Sequence, residues 1–432
     1  MPFDKYPGGS RNVAVIGAGI SGLGAAYALS FDAKVTVFEA AGRLGGHART
    51  VEVDGPSPIA VDTGFIVFNR RNYPLLTGLF DTLDVPVKRS NMSFGASFAE
   101  DDVEYALRDL DALFAQRRNI ARPRFLAMIR DILRFNKRAD EALAAPEMTL
   151  GEFLDGLQVS EAFRRWYILP FSGAIWSASA EDMLRFPARS FVQFFKNHGL
   201  LSSKGQPVWE TVDGGSREYV MRIEHAIRAN GGEFRLSTPV HSVEQDWHGG
   251  GPVVSSAAGA AEQFDAVIMA CHSDQALTML ANPDREQQAT LGALRYSENR
   301  AFLHTDAGQM PRRKRCWSSW NAIQGGGEAG RPAVTYWMNR LQSIPEETPL
   351  FVTLNPTTEI PEEAILDETT FAHPMFDLAA LRAQEALPSI QGRRGVWFAG
   401  AYARYGFHED GLMSGLAAAK ALGADAAWAE AA

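Results

Sequence analysis

Cysteine is almost missing from this sequence, and so are the residue patterns of most metal sites. Cys271 and Cys316 are its two cysteines in 432 residues, and they lie 45 positions apart. This spacing excludes a disulfide scaffold and a cysteine-based zinc site. The nine histidines are scattered, with His241 and His248 the closest at seven positions apart, so we expect no metal.

An excess of positive charge is also missing. The chain carries 42 Lys and Arg against 51 Asp and Glu, a formal net charge of −9, which argues against a general nucleic-acid binder. The segment from Val13 to Leu29 is apolar but shorter than the roughly 20 residues of a bilayer span. The first eleven residues lack the apolar stretch of a secretory signal, so we expect a cytoplasmic protein. No G-x-S-x-G, Walker A or H-E-x-x-H motif occurs.

A dinucleotide-binding pattern is present near the start. Val13 to Ile16 predicts a buried parallel strand, and a G-x-G-x-x-G turn and a helical segment follow it. The glycines permit a tight turn, a close approach of the backbone to a pyrophosphate, and close packing of helix on strand. A second apolar strand ends in Glu39, where a carboxylate can bond ribose hydroxyls. The residues of this turn that we predict to contact the bound cofactor are Gly17, Gly19, Ile20, Ser21 and Gly22.

The next run, from Ala40 to Thr50, contains an arginine and paired glycines at Arg43, Gly45 and Gly46. It resembles the second flavin fingerprint of the amine-oxidase-like flavoproteins, which wraps the FAD pyrophosphate and ribityl chain. The resemblance implies that the following segment passes beside the isoalloxazine ring and that a later strand supplies backbone contacts to the adenine part. The residues that it assigns to these two regions are Thr63, Gly64, Phe65 and Val240.

The C-terminal end resembles the terminal FAD motif of the same families. It has a strand, a glycine turn and an Ala-rich helix that we expect from Met413 to about Trp428. The resemblance implies FAD contacts from Gly400, Ala401, Gly411 and Leu412. Ala401 departs from the pattern, because many relatives carry Glu or Asp there. Neither cysteine lies in this motif, so we expect FAD to be bound non-covalently.

Three residues of this motif are candidates for a catalytic base. They are His408, Glu409 and Tyr405, and His408 stands where amine oxidases often place an aromatic side chain against the flavin. An imidazole can pack there and can move a proton near neutral pH. The alternatives are that His408 is a turn histidine bonding a carbonyl, and that Glu409 and Asp410 stabilise the N-terminus of the following helix.

These motifs predict a fold of class α/β, with a Rossmann-like FAD-binding domain of amine-oxidase type and an interleaved α+β substrate domain. We expect the FAD-binding domain to be discontinuous, over 1–75, 205–280 and 388–432. The substrate domain then covers 76–204 and 281–387, and its first half should be mostly helical.

The substrate domain contains an unusually basic segment at 112–138, with eight cations and one acid. Within it, the apolar residues Phe125, Met128, Ile129 and Ile132 are spaced as one face of a helix. Such a helix either docks on an anionic membrane surface or packs this face into the core. A second cluster, Arg312 to Arg315, stands beside Trp317, where an interfacial indole would fit.

Aromatic residues are concentrated at 170–177, 186–188 and 191–199. They either line a long hydrophobic tunnel or form the core of the substrate domain. With Tyr73-Pro74 and Asn91 to Phe94, these runs resemble a bacterial subgroup of amine-oxidase-like flavoproteins linked to cyclopropane and furan fatty-acid formation on membrane phospholipids. The resemblance implies dehydrogenation of an unsaturated acyl chain.

We therefore expect an FAD-dependent oxidoreductase that desaturates a fatty-acyl chain of a membrane phospholipid. The expected protein is cytoplasmic or peripheral on the inner face of the cytoplasmic membrane, touching it through 112–138. The alternatives are an amine oxidase, a fatty-acid double-bond isomerase, and a non-catalytic flavin-binding partner of a lipid methyltransferase. A lipid methyltransferase is also the expected protein partner, and nucleic acid is not expected.

Overall fold

A computed structural model describes residues 11–55, 57–144, 147–202, 205–245, 249–324 and 333–426. The expected helix end near Trp428 is wrong, because the C-terminal helix ends at Ala421. The strands are β1 (Arg11–Ile16), β2 (Ala33–Phe38), β3 (Thr50–Val53), β4 (Ile59–Asp62), β5 (Val87–Arg89), β6 (Phe94–Phe98), β7 (Val103–Ala106), β8 (Glu210–Val212), β9 (Glu233–Arg235), β10 (Val240–Glu244), β11 (Val253–Ser256), β12 (Glu262–Gln263), β13 (Ala266–Met269), β14 (Leu280–Ala281), β15 (Tyr296–His304), β16 (Trp320–Gln324), β17 (Ala333–Trp337), β18 (Phe351–Leu354), β19 (Ile365–Pro374) and β20 (Val396–Phe398).

The α-helices alternate with these strands and are densest between residues 110 and 197. They are α1 (Ile20–Leu29), α2 (Pro74–Thr82), α3 (Leu110–Leu113), α4 (Pro123–Arg138), α5 (Leu150–Leu157), α6 (Glu161–Phe163), α7 (Leu169–Trp176), α8 (Ala180–Arg185), α9 (Ala188–Asn197), α10 (Arg217–Ala229), α11 (Ser273–Met279), α12 (Arg285–Gly292), α13 (Met338–Leu341), α14 (Leu378–Ile390) and α15 (His408–Ala421). In the part of the chain that is described, no helix is both long enough and apolar enough to span a bilayer.

A five-stranded parallel sheet, ordered β20-β13-β1-β2-β9, holds the dinucleotide-binding pattern. Both faces of its central strand β1 are covered, since Val13 and Val15 pack with α1 and α15, whereas Ala14 and Ile16 pack with β10 and α14. This double coverage explains why the strand is continuously apolar. The strands come from all three segments that we assigned to the FAD-binding domain.

A seven-stranded mixed sheet, ordered β19-β15-β18-β17-β16-β6-β7, forms the second unit, with helices α4 to α9 beside it. Its strands all lie within the two segments predicted for the substrate domain. The predicted architecture, a parallel-sheet unit interrupted by an α+β unit, is therefore the observed one.

Packing in this second unit decides between the alternatives that the sequence left open. The predicted apolar face of α4 is turned inward, because Phe125 and Met128 are fully buried, so this face does not dock on a membrane. Trp317 packs edge-on against Trp337 and Phe351 and is not an interfacial indole. Most of the aromatic segment is core as well, and Phe191 stacks on its neighbours within it.

The buried His304 predicts that the fold is sensitive to acid. Its Nδ1 accepts the N–H of Asp306 at 3.1 Å, and its Nε2 lies 2.7 Å from Thr353 Oγ1. Burial lowers the pKa of His304 to about 4, below its ordinary value of 6.5. Between these pH values the unfolded chain binds a proton that the folded chain does not, so the free energy of unfolding decreases as the pH falls from about 6.5 to about 4.

A His304→Asn variant measures this contribution, since the amide oxygen can still accept the Asp306 N–H. The comparison with wild type is needed because burial raises the pKa of Asp62 and of Asp410 to about 6, which acts in the opposite direction. We expect urea titrations to show a pH slope that is shallower in the variant, by at most about 1.4 kcal/mol per pH unit. An unchanged slope would show that His304 is not the acid-sensitive group.

Candidate functional site

The G-x-G-x-x-G turn joins β1 to α1 and packs tightly on its surroundings. Gly17 has φ +101°, and a Cβ there would lie 2.6 Å from the carbonyl oxygen of Ala270. A Cβ on Gly22 would lie 1.9 Å from the carbonyl oxygen of Gly17. Both positions need glycine for the reasons that the motif predicts, a strained turn and close packing of the helix.

The second glycine of the turn faces open space. A Cβ on Gly19 would meet no atom within 4 Å, although its φ of −74° is ordinary. Gly19 is the N-cap of α1, and no side chain caps the helix, whose first residues are Ile20 and Ser21. Uncapped N–H groups beside an open space suit a pyrophosphate. The turn therefore fits the cofactor that the motif implies.

The adenosine end of the site lies at the carboxyl end of β2. The two carboxylate oxygens of Glu39 accept the N–H groups of Ala18 and Ala41, each at 2.8 Å, which fixes the carboxylate beside the turn. The Thr238 N–H donates to the Glu39 carbonyl at 2.9 Å and so brings the segment of Val240 to the same edge. Glu39 and Val240 thus lie together, as the resemblance implies.

The second glycine-rich loop folds back onto the first. The Gly45 N–H donates to the Ala18 carbonyl at 2.8 Å, and Gly45 forms a β-bridge with Gly19. Arg43 holds this loop closed by donating to the carbonyl oxygens of Leu44, Gly46 and Ala48. The two loops therefore enclose one space, and Arg43 acts in this structure by shaping the loop.

The segment after β4 is held against the second loop. The Phe65 N–H donates to the His47 carbonyl at 2.8 Å, and a Cβ on Gly64 would lie 2.1 Å from that same oxygen. Thr63 is held by Arg49, whose carbonyl accepts the Thr63 N–H at 2.9 Å. This close backbone packing places Phe65 next to the C-terminal motif.

The C-terminal motif meets the first glycine turn. A Cβ on Gly411 would lie 2.9 Å from Ser21 Oγ and 3.7 Å from the Ala401 side chain, and Leu412 lies against Gly24. Gly400, which follows β20, is held by Ser414, whose Oγ accepts its N–H at 2.8 Å. The expected helix start at Met413 is wrong, because α15 begins at His408.

His408 is the candidate base that the structure places beside the predicted flavin segment. Its ring stacks on Phe65, with centroids 3.8 Å apart and an interplanar angle of 13°. Its Nε2 lies 2.8 Å from Tyr219 Oη, so it bonds a tyrosine and not the turn carbonyl of the alternative interpretation. Burial lowers the pKa of His408 to about 3, which keeps the imidazole neutral at physiological pH.

Glu409 has a different role from the predicted catalytic one. Its carboxylate accepts the N–H groups of Leu75 at 2.8 Å and Leu76 at 3.0 Å, and thereby caps α2. The neighbouring Asp410 accepts the Phe407 N–H at 3.0 Å and caps its own helix. Both acids therefore fix the loop that carries His408.

Tyr405 makes its described contacts with other aromatic residues. Its carbonyl accepts the Trp176 Nε1–H at 3.2 Å, and its ring lies 6.2 Å from that of Phe194. These contacts place Tyr405 in the aromatic cluster of the substrate domain. Of the three predicted catalytic residues, His408 is the one that remains a candidate.

The sequence did not reveal two residues that organise this site. Tyr219 lies on α10, where it appears only as one apolar position of an amphipathic helix. Asp62 is almost fully buried and accepts hydrogen bonds from Thr50, Ser216 and Gln342, so it ties β3, α10 and the substrate domain together. The Asp-Thr-Gly-Phe segment contains Asp62, but nothing in it indicates partners as distant as position 342.

Comparison with known proteins places this arrangement in a family. The family model of flavin containing amine oxidoreductases matches residues 20–369. The mitochondrial protoporphyrinogen oxidase of Nicotiana tabacum is 57% identical over 53 residues, which cover 12% of this chain and 10% of that protein. The chain thus matches about a tenth of the length of this curated relative.

Solved structures share the fold over nearly the whole chain. A CLA-producing fatty acid isomerase from P. acnes has a TM-score of 0.69 at 15% identity, with 96% of this chain and 99% of the other covered. Cyclohexylamine oxidase from Brevibacterium oxydans has a TM-score of 0.68 at 18% identity, with 98% and 99% covered. The predicted fold class and the FAD cofactor are thereby confirmed. This chain belongs to the family of flavin containing amine oxidoreductases.

Proposed function

We propose that this flavin-dependent oxidoreductase dehydrogenates an unsaturated fatty-acyl chain of a membrane phospholipid, in the formation of furan- or cyclopropane-type fatty acids. The observation that carries the proposal is an aromatic wall leading to His408. Trp176 lies 6.3 Å from Phe407, which stacks with Phe194 at 4.9 Å, and Phe407 directly precedes His408. Trp176 and Phe194 are buried in the core, so the apolar surface that they leave beside His408 is that of the half-buried Phe407, where an acyl chain can pack without leaving a polar group unpaired.

A small cavity beside Trp176 has walls of the same apolar kind. It has room for about one water molecule, about 20 Å³, and opens to solvent, so it is not a tunnel for the whole acyl chain. Its wall combines aromatic and apolar side chains with two arginines near two acids, from the residues Trp176, Ala178, Asp182, Arg185, Phe186, Arg295, Pro374, Met375, Phe376 and Asp377. The apolar walls suit a hydrocarbon chain, whereas both arginines already have acidic partners, Arg185 with Glu181 and Arg295 with Asp377.

The two acids of this cavity also have partners, as its two arginines do. Asp377 accepts the Ala380 N–H and pairs with Arg295 at 2.7 Å. Asp182 accepts the Ser179 hydroxyl at 2.5 Å. A charged end of either sign would have to compete with these contacts, so the charges of this cavity do not decide between a lipid and an amine.

Bound FAD supplies the two-electron acceptor for oxidation of a C–H bond. Dehydrogenation removes two hydrogen atoms from the chain, one as a hydride equivalent that the cofactor takes and one as a proton. The His408 imidazole is neutral above pH about 3, so one of its two ring nitrogens has a lone pair that can accept that proton. Tyr219 orients the ring through its hydroxyl, and Phe65 fixes the ring plane.

The test is anaerobic flavin absorbance of the purified holoprotein. We expect unsaturated phospholipid vesicles to bleach the flavin, with one product per flavin that has lost two hydrogen atoms by mass spectrometry, and a panel of primary and secondary amines to leave it oxidised. Bleaching by amines alone would overturn the proposal in favour of an amine oxidase. A product of unchanged mass with a shifted double bond would establish an isomerase, the activity for which the P. acnes protein is named.

An Ala178→Phe variant connects the cavity to this reaction. Because Ala178 lines the cavity and is only partly buried, the larger side chain should fill space that the substrate needs. We expect bleaching by lipid to slow at least tenfold, the effect of losing about 1.4 kcal/mol of binding. Reduction by dithionite serves as the control, because it needs no substrate cavity and should be unchanged. If lipid bleaching is also unchanged, the cavity does not hold the substrate.

A further inference from the structure

We infer that the outer surface of α4 binds the surface of an anionic lipid bilayer. The apolar face of α4 that the sequence predicts is buried, and the outer surface is the opposite face. The inference does not depend on the proposed reaction. The outer surface is formed by Leu126, Arg130, Leu133 and Lys137, which we call the α4 outer stripe.

Exposed apolar side chains are concentrated in the part of the sequence that contains this stripe. Among the described residues, ten large hydrophobic side chains are exposed, and five of them lie between positions 107 and 133. On α4 itself, Leu126 is 44% exposed and Leu133 is 67% exposed, and Ile120 just before the helix is 55% exposed. A concentration of this kind on an outer helix marks an interaction site.

The leucines alternate with cations along one side of the helix. Leu126, Arg130, Leu133 and Lys137 are spaced by four, three and four residues, which places them on one face of a helix. The helix carries no exposed acid, because its one acid, Asp131, is fully buried. The stripe is therefore apolar and positive at the same time.

Asp131 offsets part of the positive charge of the helix but leaves the guanidinium of Arg130 exposed to solvent. It pairs with Arg130 at 3.0 Å, while the Arg130 side chain remains 62% exposed, and its other oxygen accepts the Ser160 N–H at 2.7 Å. The Asp131 carboxylate is thus buried beneath the helix surface, whereas the Arg130 guanidinium is exposed to solvent. Arg124, which stands above the Trp166 ring at 4.9 Å, adds a cation at the start of the helix.

A lipid surface fits this arrangement better than a second protein does. The chain as a whole has a net charge of −9, but α4 carries an excess of cations. This local positive charge attracts the helix to a negatively charged surface. Leucine side chains can enter the acyl boundary while Arg and Lys remain at the phosphate level. Interleaved leucines and cations satisfy both conditions at once, whereas the core of a protein interface is usually depleted of Lys.

Vesicle flotation with the full-length, FAD-loaded protein tests the inference. We expect binding to vesicles that contain phosphatidylglycerol, weak binding to pure phosphatidylcholine, and loss of binding at high salt, where the Debye length is short. A Leu126→Ser/Leu133→Ser variant should bind anionic vesicles roughly tenfold more weakly. A Lys137→Glu variant should bind at least roughly fivefold more weakly.

The matched control is a Met221→Ser/Leu366→Ser variant. These side chains are 49% and 43% exposed but lie on α10 and β19, and we expect wild-type vesicle binding. If the α4 leucine variant binds anionic vesicles as wild type does, the inference is overturned. It is also overturned if the protein ignores vesicles and the leucine variant converts a dimer to a monomer in sedimentation, since the stripe would then be a self-interface. Flavin bleaching by detergent-dispersed lipid is measured separately, so a failure of docking is distinguishable from a failure of the proposed reaction.

Discussion

A Gly19→Ala variant is expected to fold normally and to lose FAD. The φ of −74° is allowed for alanine, and the added methyl group meets no protein atom within 4 Å, so the folded chain has no reason to be strained. The same methyl group would occupy the space in which the pyrophosphate must approach the backbone. We expect the affinity for FAD to fall at least about 100-fold, or about 2.7 kcal/mol. Calorimetric titration of the apoprotein with FAD measures this loss.

Variants at two further glycines distinguish a loss of FAD binding from a loss of folding stability. Gly156 on α5 also has no neighbour within 4 Å of a built Cβ, and Gly156→Ala should keep both FAD affinity and melting temperature close to wild type. Gly22→Ala should lower the melting temperature of the apoprotein, because its Cβ would lie 1.9 Å from the Gly17 carbonyl oxygen. If Gly19→Ala binds FAD with wild-type affinity, the space in front of Gly19 is not the pyrophosphate site.

The nucleotide-binding end could be predicted because its residues act on close neighbours in the sequence. Gly17, Gly22 and Glu39 all contact one short turn, and each needs its residue type for a local reason such as a positive φ or a carboxylate at a strand end. Spacing alone therefore carries the information.

The rest of the site depends on contacts that spacing cannot show. Tyr219 and His408 are 189 residues apart, and Asp62 and Gln342 are 280 apart. The predicted start of α15 was too late because glycine, here Gly411, is a poor helix former. In the structure, the absence of a side chain on Gly411 allows α15 to pack against Ser21. For α4, the periodicity showed which face is apolar but not that further leucines lie on the opposite face.

A His408→Ala variant is expected to slow anaerobic reduction of the flavin by lipid about 10²–10⁴-fold, the usual contribution of a positioned proton acceptor. FAD binding should be retained, because no predicted phosphate or ribose contact involves the imidazole. Any ionisation of the wild-type rate near pH 6 to 7 should persist in the variant, because burial lowers the pKa of His408 to about 3 but raises the pKa of Asp410 to about 6 and that of Glu409 to about 7. A wild-type rate limb near pH 6.5 that disappears in the variant would show instead that His408 titrates as an ordinary exposed histidine does.

Tyr219→Phe completes this test because Tyr219 and His408 share one hydrogen bond. Removing the hydroxyl leaves Nε2 without its partner at 2.8 Å but keeps the ring that packs edge-on against Phe65. We expect a smaller loss of rate than in His408→Ala, and a double variant no slower than His408→Ala alone, since groups that act as a unit are not additive. Losses that multiply in the double variant would mean that the two side chains act separately. In that case Tyr219 would not position His408, and the hydrogen bond would be a feature of packing alone.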